Sequence, residues 1–382
     1  MPTSHYDLAV IGGGIVGTAH AYHAAKAKQK VALFERNDRP VGATIRNFGM
    51  IWPIGQAPDR LERALRSRQH WLDLAEKSKF WAPTAGSLHL AYQQDEMEVL
   101  TEFADLAGAQ GYQVNLLSPE KVAAYSPGIK TEGLLGAMFS NTEVNVDPRQ
   151  AITQIHTYLG EQLGVDLHYR HTIREINYPH LHTAEQSWTA DRIIVAGGDE
   201  LSTLYPELLA EAPLQRCKLQ MMRTAPQPNS WQLGANLAAG LTLQHYASFA
   251  QCEHLPALKA RIANKLPAYN QHGIHVMVSQ TALGELTIGD SHEYDYTPSP
   301  FDKQEINQLI LDYLHRFAKA PDLKIAEYWH GVYAKMMNGA TELILHPEPG
   351  VTIVTGLGGA GMTLSFGLAE EVILEEKRLT GA

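Results

Sequence analysis

The chain has 382 residues, of which 45% are apolar and 19% charged, with 31 glycines and 20 prolines. This usage excludes disordered, collagen-like and coiled-coil chains and sets an expectation of two or three domains. The net charge of −10 comes with no clustered excess of Lys and Arg, which argues against nucleic acid, and no apolar run reaches the ~20 residues of a membrane helix.

The opening MPTSHYDLAV lacks the charged and apolar blocks of a signal peptide, so a cytoplasmic protein is expected. Only Cys217 and Cys252 occur, 35 positions apart, and two reduced thiols are the default reading.

Residues 6–11 (YDLAVI) are a short apolar run, 12–17 (GGGIVG) a tight turn, and 18–30 an Ala-rich segment with helical spacing. Residues 31–35 (VALFE) form a second strand ending in an acid, completing a βαβ unit. A polar helix is expected at 61–79, a strand at 86–92 and a helix at 94–111. Residues 143–148 end a strand and open a helix through 163, with Asp147 as cap and Pro148 in its first turn. A strand at 165–169 and a buried-type strand at 191–198 follow. From about 213 to 325 the pattern changes to strands at 215–224, 241–249, 274–279 and 285–289, which suggests an antiparallel sheet closed by a helix at 302–319. A strand at 351–355, a Gly-rich loop and a helix from 363 return to α/β style.

Gly12, Gly14 and Gly17 fit G-x-G-x-x-G. The first allows the tight turn, the second lets a pyrophosphate approach the backbone, and the third lets helix and strand pack closely. The phosphates then sit at a helix N-terminus, where free N–H groups and the macrodipole favour negative charge. Glu35 lies 18 residues past Gly17, placed to accept from ribose hydroxyls. It would also repel a 2′-phosphate, although Arg36 beside it softens that inference. A second glycine cluster, TGLGGAGMTL at 355–364, points to FAD rather than NAD. A reduced flavin carries negative charge at its pyrimidine edge, and a helix N-terminus supplies donors to that charge.

Together these residues resemble the FAD-dependent D-amino-acid oxidase, glycine oxidase and sarcosine oxidase superfamily. The resemblance rests on DLAVIGGGIVG with Glu35 and Arg36, on GATIRNFG at 42–49, VDP at 146–148, IIVAGG at 193–198, RCKLQMMRT at 216–224, and WHGVY at 329–333 followed by TGLGGAGMTLS. It implies an α/β protein with a Rossmann-like FAD-binding domain on a mixed sheet and a glycine oxidase-like α+β substrate domain on an antiparallel sheet. The expected division is 1–85, 140–212 and 326–382 for the FAD domain, and 86–139 and 213–325 for the substrate domain.

Position by position, the resemblance implies noncovalent FAD held at Ile11, Gly12, Gly14, Ile15, Val16 and Gly17. Glu35 and Arg36 follow at the end of the second strand. Ala43, Thr44, Arg46, Asn47, Phe48 and Gly49 match the loop that runs along the pyrophosphate to the flavin. Ile173 matches a residue at the adenine, and Gly197 and Gly198 match glycines at the flavin edge. Gly358, Gly359, Gly361, Met362 and Thr363 match the loop at the flavin pyrimidine. Family members oxidise C–N bonds of amines by hydride transfer to flavin N5, then hydrolyse the imine and reoxidise with oxygen.

Several departures bear on substrate. The Arg that amino-acid oxidases of this group place two residues after the glycine of the W-x-G block is Tyr333 here, the usual Pro and Asp are Ala334 and Asn338, and the C-terminal loop has no Arg. A charged headgroup is then left to Arg46 or Lys335, the two candidate catalytic-site cations, with Tyr246, His275, Tyr333 or Arg223 lending hydrogen bonds. The run RNFGMIWPIG at 46–55 resembles a subgroup associated with breakdown of aminophosphonates, whose dianion needs several cationic or N–H donors. The expected function is oxidation of a small amine, such as a 2-aminoethylphosphonate derivative or its N-methyl form. The alternatives are a glycine, sarcosine or D-amino-acid oxidase, or a flavoprotein that passes electrons to a partner. Arg46 reads equally well as a ligand of the cofactor pyrophosphate, and Trp52 as an active-site or a core aromatic.

The 18 histidines include His20 and His23 at i, i+3 and a group at 168, 171, 180 and 182, but no H-E-x-x-H or C-x-x-C pattern accompanies them. They read as core or surface residues, and no metal is expected.

Overall fold

The computed structural model describes residues 4–380, with side chains from 4 to 374. Residues 1–3 and 381–382, included in the expected outer domain bounds, lie outside the described residues.

The first βαβ unit forms as the pattern predicts: strand Leu8–Ile11, helix Ile15–Lys26 and strand Val31–Glu35. They seed a six-stranded sheet ordered Leu343–Glu348, Val351–Thr355, Ile193–Val195, Leu8–Ile11, Val31–Glu35, Asp166–Tyr169. Four of its pairings are parallel and the edge strand Leu343–Glu348 is antiparallel, so the sheet is mixed. Leu8, Val10, Leu33 and Ile194 are buried on a face covered by the helices Ile15–Lys26, Pro58–Ser78, Pro148–Leu163 and Gly361–Thr380. On the other face Ala9, Ala32, Ile193 and Ile353 pack with Trp188 and Leu209. Burial on both faces explains why these strands read as continuous apolar runs. Asp147 caps its helix as expected, its carboxylate accepting from Arg149 N at 3.1 Å, with Pro148 at the first position.

The second large sheet has nine strands. Eight run in the order Glu293–Asp295, Leu214–Thr224, Leu286–Gly289, Met277–Gln280, Asn236–Ala239, Ser87–Ala91, Gly136–Ser140, Val114–Leu117. Its pairings are antiparallel except that of Asn236–Ala239 with Ser87–Ala91. The ninth strand, Ile325–Met336, pairs along its length with Leu214–Thr224, placing Tyr333 opposite Cys217 and Lys335 opposite Gln215. The sequence division puts this strand with the third FAD-domain block, yet its hydrogen bonds run to the other sheet. It is the seam between the two halves. The chain is thus α/β, with mixed sheets.

The strand expected at 241–249 is not one. Two 3-10 turns, Gly240–Gln244 and Ala247–Gln251, occupy it. Leu241, Thr242 and Leu243 are all buried, so the start of the segment has no polar face for a half-buried strand to turn to solvent. The turn carries His245 and Tyr246 to the wall of the central cavity.

Candidate active site

A cavity of about 610 Å³ runs along the seam between the two large sheets. One end is framed by Glu35, Arg36 and Ile173, the middle by the first glycine turn and the 43–48 loop, and the far end by Tyr246, His275, Tyr333, Lys335 and the 358–363 loop. Apart from Gly17, Gly49 and Arg223, every residue expected at the cofactor or the substrate lines it; Arg223 is instead held outside the cavity by Glu327 and by Glu285 at 3.6 Å, so it lends no hydrogen bond to a substrate.

The two glycines have a packing reason. A side chain on Gly17 would meet the Gly12 carbonyl oxygen at 2.0 Å, and one on Gly49, whose φ is +71°, would meet the Val146 carbonyl oxygen at 2.1 Å. Both shape the cradle from behind. At Gly14 the nearest atom to an added Cβ is Thr44 Oγ1 at 3.1 Å, and at Gly42 and Gly198 nothing lies within 4 Å. These three glycines open onto the cavity, leaving bare backbone where an elongated ligand can approach.

Polar contacts set the walls. Thr44 Oγ1 accepts from Ile15 N at 2.9 Å, tying the 43–49 loop to the first turn of the helix. The Glu35 carboxylate accepts from Gly13 N at 3.1 Å and Asn37 N at 2.9 Å, which fixes the acid at the end of its strand. Arg36 pairs with Glu200 at 3.3 Å. Asn47 Oδ1 accepts from Gly49 N at 2.7 Å, and Ser279 Oγ donates to the Phe48 carbonyl at 2.7 Å. Thr363 Oγ1 accepts from Trp52 N at 2.9 Å, so Trp52 is both buried and on the cavity wall. Gly358, at φ +58°, leaves room for the Lys335 stem, and Gly359 stands beside the Tyr333 hydroxyl.

The cations are arranged differently. The Arg46 guanidinium reaches the His330 carbonyl at 3.4 Å, and Lys335 Nζ donates to the Tyr294 hydroxyl at 3.0 Å. Among the described residues neither has a carboxylate partner, in contrast to Arg36, Arg63, Arg66, Arg149 and Arg261. Burial raises the Tyr246 and Tyr333 hydroxyls well above their ordinary range, so both are neutral donors. Neither cysteine lines the cavity, and burial pushes the Cys217 thiol up to about 12.

Sequence reasoning missed His245, Asp290 and His292. His245 lies on the 240–251 turn and Asp290 and His292 on the segment just after the 286–289 strand, and they converge beside His275 only when the 286–289 and 277–280 strands pair. Their spacing carries no local signature. Burial holds the imidazole of His275 well below its usual range and that of His292 at about 4; His245, open to the cavity, is held down by the protein crowded around it and by the neighbouring His275 and His292. Asp290 is raised well above the carboxylate range by the same burial. The paired histidines of the first helix sit elsewhere: His20 and His23 are buried, and His23 packs edge-on against His70.

A glycine-lined cleft whose wall includes a helix N-terminus, with a second glycine loop at its far end, is the form a dinucleotide requires. The family model described as FAD dependent oxidoreductase matches residues 7–373. The chain belongs to that family. It is 24% identical to the glycine oxidase of Geobacillus kaustophilus over 98% of this chain and 94% of that protein. It is 22% identical to the monomeric sarcosine oxidase of a Bacillus species, over 99% and 93%. The crystal structure of the Geobacillus glycine oxidase superposes with a TM-score of 0.76 at 19% identity, covering 98% of this chain and 95% of that one. A Mycoplasma pneumoniae glycerophosphate oxidase with FAD bound superposes at 0.73, with 17% identity and coverage of 97% and 95%. The chain is therefore a flavoprotein oxidoreductase that uses FAD. Among the described residues no helix is long and apolar enough to cross a membrane.

Proposed function

We propose that the protein oxidises the C–N bond of a small amine bearing an anionic group, with an aminophosphonate such as 2-aminoethylphosphonate or its N-methyl form as the substrate class. The observation that carries this reading is the pair Arg46 and Lys335, two cavity-wall cations without an ion-pair partner among the described residues. A cation left without a counter-charge in a partly desolvated wall is costly unless a ligand supplies one. The replacement of the expected Arg by Tyr333 argues against simple α-amino-acid recognition, because a phenol cannot form the bidentate contact that a guanidinium makes with a carboxylate.

The residues divide the work. Gly12, Gly14 and the first turn of the helix would hold the pyrophosphate, Glu35 the ribose and Ile173 the adenine, while Gly358 to Thr363 present backbone to the flavin pyrimidine. When bound, FAD supplies the hydride acceptor and, through oxygen, the return to its oxidised form. Lys335 orients the anionic end, Arg46 adds a positive charge farther along the wall, and Tyr246 and Tyr333 offer neutral donors. Trp52, Met221 and Met277 keep water from the reacting carbon. The amine must lose its ammonium proton before the hydride can leave, so the rate should climb with pH as the bound amine becomes neutral.

An anaerobic screen of amino acids, N-methyl amines and aminophosphonates tests the reading. Bleaching of the flavin by an aminophosphonate is expected. Bleaching by glycine, sarcosine or a D-amino acid alone would replace the substrate class, and bleaching by no amine at all would point to a flavoprotein that exchanges electrons with a partner.

A further inference from the structure

We propose that His245, His275 and His292 form the seat of a doubly charged oxyanion, the phosphonate end of the substrate, and that His292 takes up a proton as that anion enters. The inference rests on the aminophosphonate reading above and assigns its headgroup to residues the sequence did not single out.

The three imidazoles form a stack on the cavity wall. The His245 and His275 rings are 3.9 Å apart at 28°, His275 and His292 are 5.2 Å apart at 19°, and His245 and His292 are 4.6 Å apart at 40°. One nitrogen from each lies within 4.8 Å of the others. Near-parallel planes send their in-plane lone pairs side by side. A single metal ion needs three lone pairs that converge on one point at about 2.1 Å. A tetrahedral oxyanion instead offers a separate oxygen to each ring.

Proton placement follows from the partners. His292 Nδ1 lies 2.9 Å from the Gly273 carbonyl, which can only accept, so the proton of the neutral ring is on Nδ1. Its Nε2 then carries a lone pair and must gain a proton before it can donate to an anion. His275 is joined to Asp290 by two backbone hydrogen bonds, N to O at 3.2 Å and O to N at 2.8 Å. Its Nε2 is 3.1 Å from Asp290 Oδ1, and its Nδ1 is buried without a hydrogen-bond partner. Burial disfavours the charged forms of both Asp290 and His275, and Asp290 Oδ1 also stands 3.9 Å from His292 Nδ1. An orphaned polar nitrogen on a cavity wall is a place for a ligand atom.

The surrounding charges leave a deficit. Lys335, from the 325–336 strand, is the cation whose field reaches all three rings. Tyr294 stacks on His292 at 6.2 Å, Tyr246 meets His275 edge-on at 5.8 Å, and Tyr333 and Cys217 behind them are neutral. Arg46, from the 43–49 loop, directs its guanidinium to the His330 carbonyl. A dianion beside the single charge of Lys335 is therefore undercompensated, and a ring that is neutral in the empty cavity is driven to protonate.

The test uses the FAD-loaded protein and methylphosphonate, which has no amine and cannot turn over. At alkaline pH, where the free ligand is already a dianion, binding is followed by perturbation of the flavin spectrum and proton uptake by an indicator dye in weak buffer. A net proton uptake that grows as the pH is lowered toward about 8 is expected. His292→Asn, which keeps a donor for the Gly273 carbonyl, should bind about tenfold more weakly and take up none. His275→Asn should bind more weakly yet keep the uptake. Binding to the wild type without proton uptake overturns the inference even if His292→Asn fails to fold. So does unchanged binding by His292→Asn. Binding lost only in Lys335→Met overturns the histidine seat while leaving the substrate class standing. No perturbation by methylphosphonate in a protein that glycine or sarcosine bleaches overturns both. Tight Zn²⁺ binding that His292→Asn abolishes, without any methylphosphonate effect, would make the cluster a metal site instead.

Discussion

The carbonyl oxygen of Gly12 occupies the place a side chain on Gly17 would need, only 2.0 Å from its Cβ position. Gly14, between them in the same motif, faces open space beyond Thr44 Oγ1. One fingerprint therefore contains glycines with different tasks, and substitution should separate them. Gly17→Val should lower the melting temperature by about 5 °C or more, because neither helix nor strand can move aside cheaply. Gly14→Val should fold and melt near the wild type but purify without yellow colour. Absorbance at the flavin band and circular dichroism on the same samples distinguish the two, and a fully flavinylated Gly14→Val would remove the assigned cradle.

Lys335→Met keeps the aliphatic stem against Gly358 and removes only the charge. We expect KM for an anionic amine to rise by about tenfold or more, with the flavin spectrum unchanged. Steady-state kinetics with the best substrate from the anaerobic screen provide the check. An unchanged KM removes Lys335 from the substrate side.

Acid sensitivity follows from the buried histidines. His23 and His89 are held down to about 3, and His20 and His156 to about 4, chiefly by loss of hydration. A histidine depressed in the folded state contributes stability that is fully present above its unfolded value near 6.5 and is lost as pH falls through the folded value. The melting temperature should therefore drop from about pH 6.5 to about pH 3. His89 has no hydrogen-bond partner on either nitrogen and sits against Trp52 and Phe249. His89→Leu should flatten part of that slope without loss of stability at neutral pH, as read from thermal melts across the range.

The net charge of −10 opposes an anionic substrate at long range, while the attraction comes from groups inside the cavity. Lowering the ionic strength should leave kcat/KM for such a substrate unchanged or reduced. A strong gain at low salt would show that a local positive field reaches beyond the cavity mouth.

How much of this was legible in the sequence depends on where the signal lies. The dinucleotide unit was legible because a strand, a glycine turn and a helix are consecutive, and each is fixed by local sterics. The second glycine loop was legible for the same reason. The turn at 240–251 was misread as a strand because Leu241 and Leu243 alternate, whereas the burial of Thr242 between them depends on tertiary packing. The histidine cluster had no local trace at all. His245, His275 and His292 meet through strand pairing and a turn, and their chemistry is set by burial, which no spacing rule reports.

The strand Val351–Thr355 lies directly beside Ile193–Val195, and the helix Gly361–Thr380 packs against both Ile15–Lys26 and Pro58–Ser78. During synthesis the first glycine turn leaves the ribosome long before these partners exist. The nascent chain must hold its first βαβ unit half-covered, with apolar faces that only the final segment will close. A product cut short before Val351 lacks both the neighbouring strand and the second glycine loop, and should be unable to retain the cofactor. Such fragments are substrates for chaperones and proteases rather than weakened enzymes.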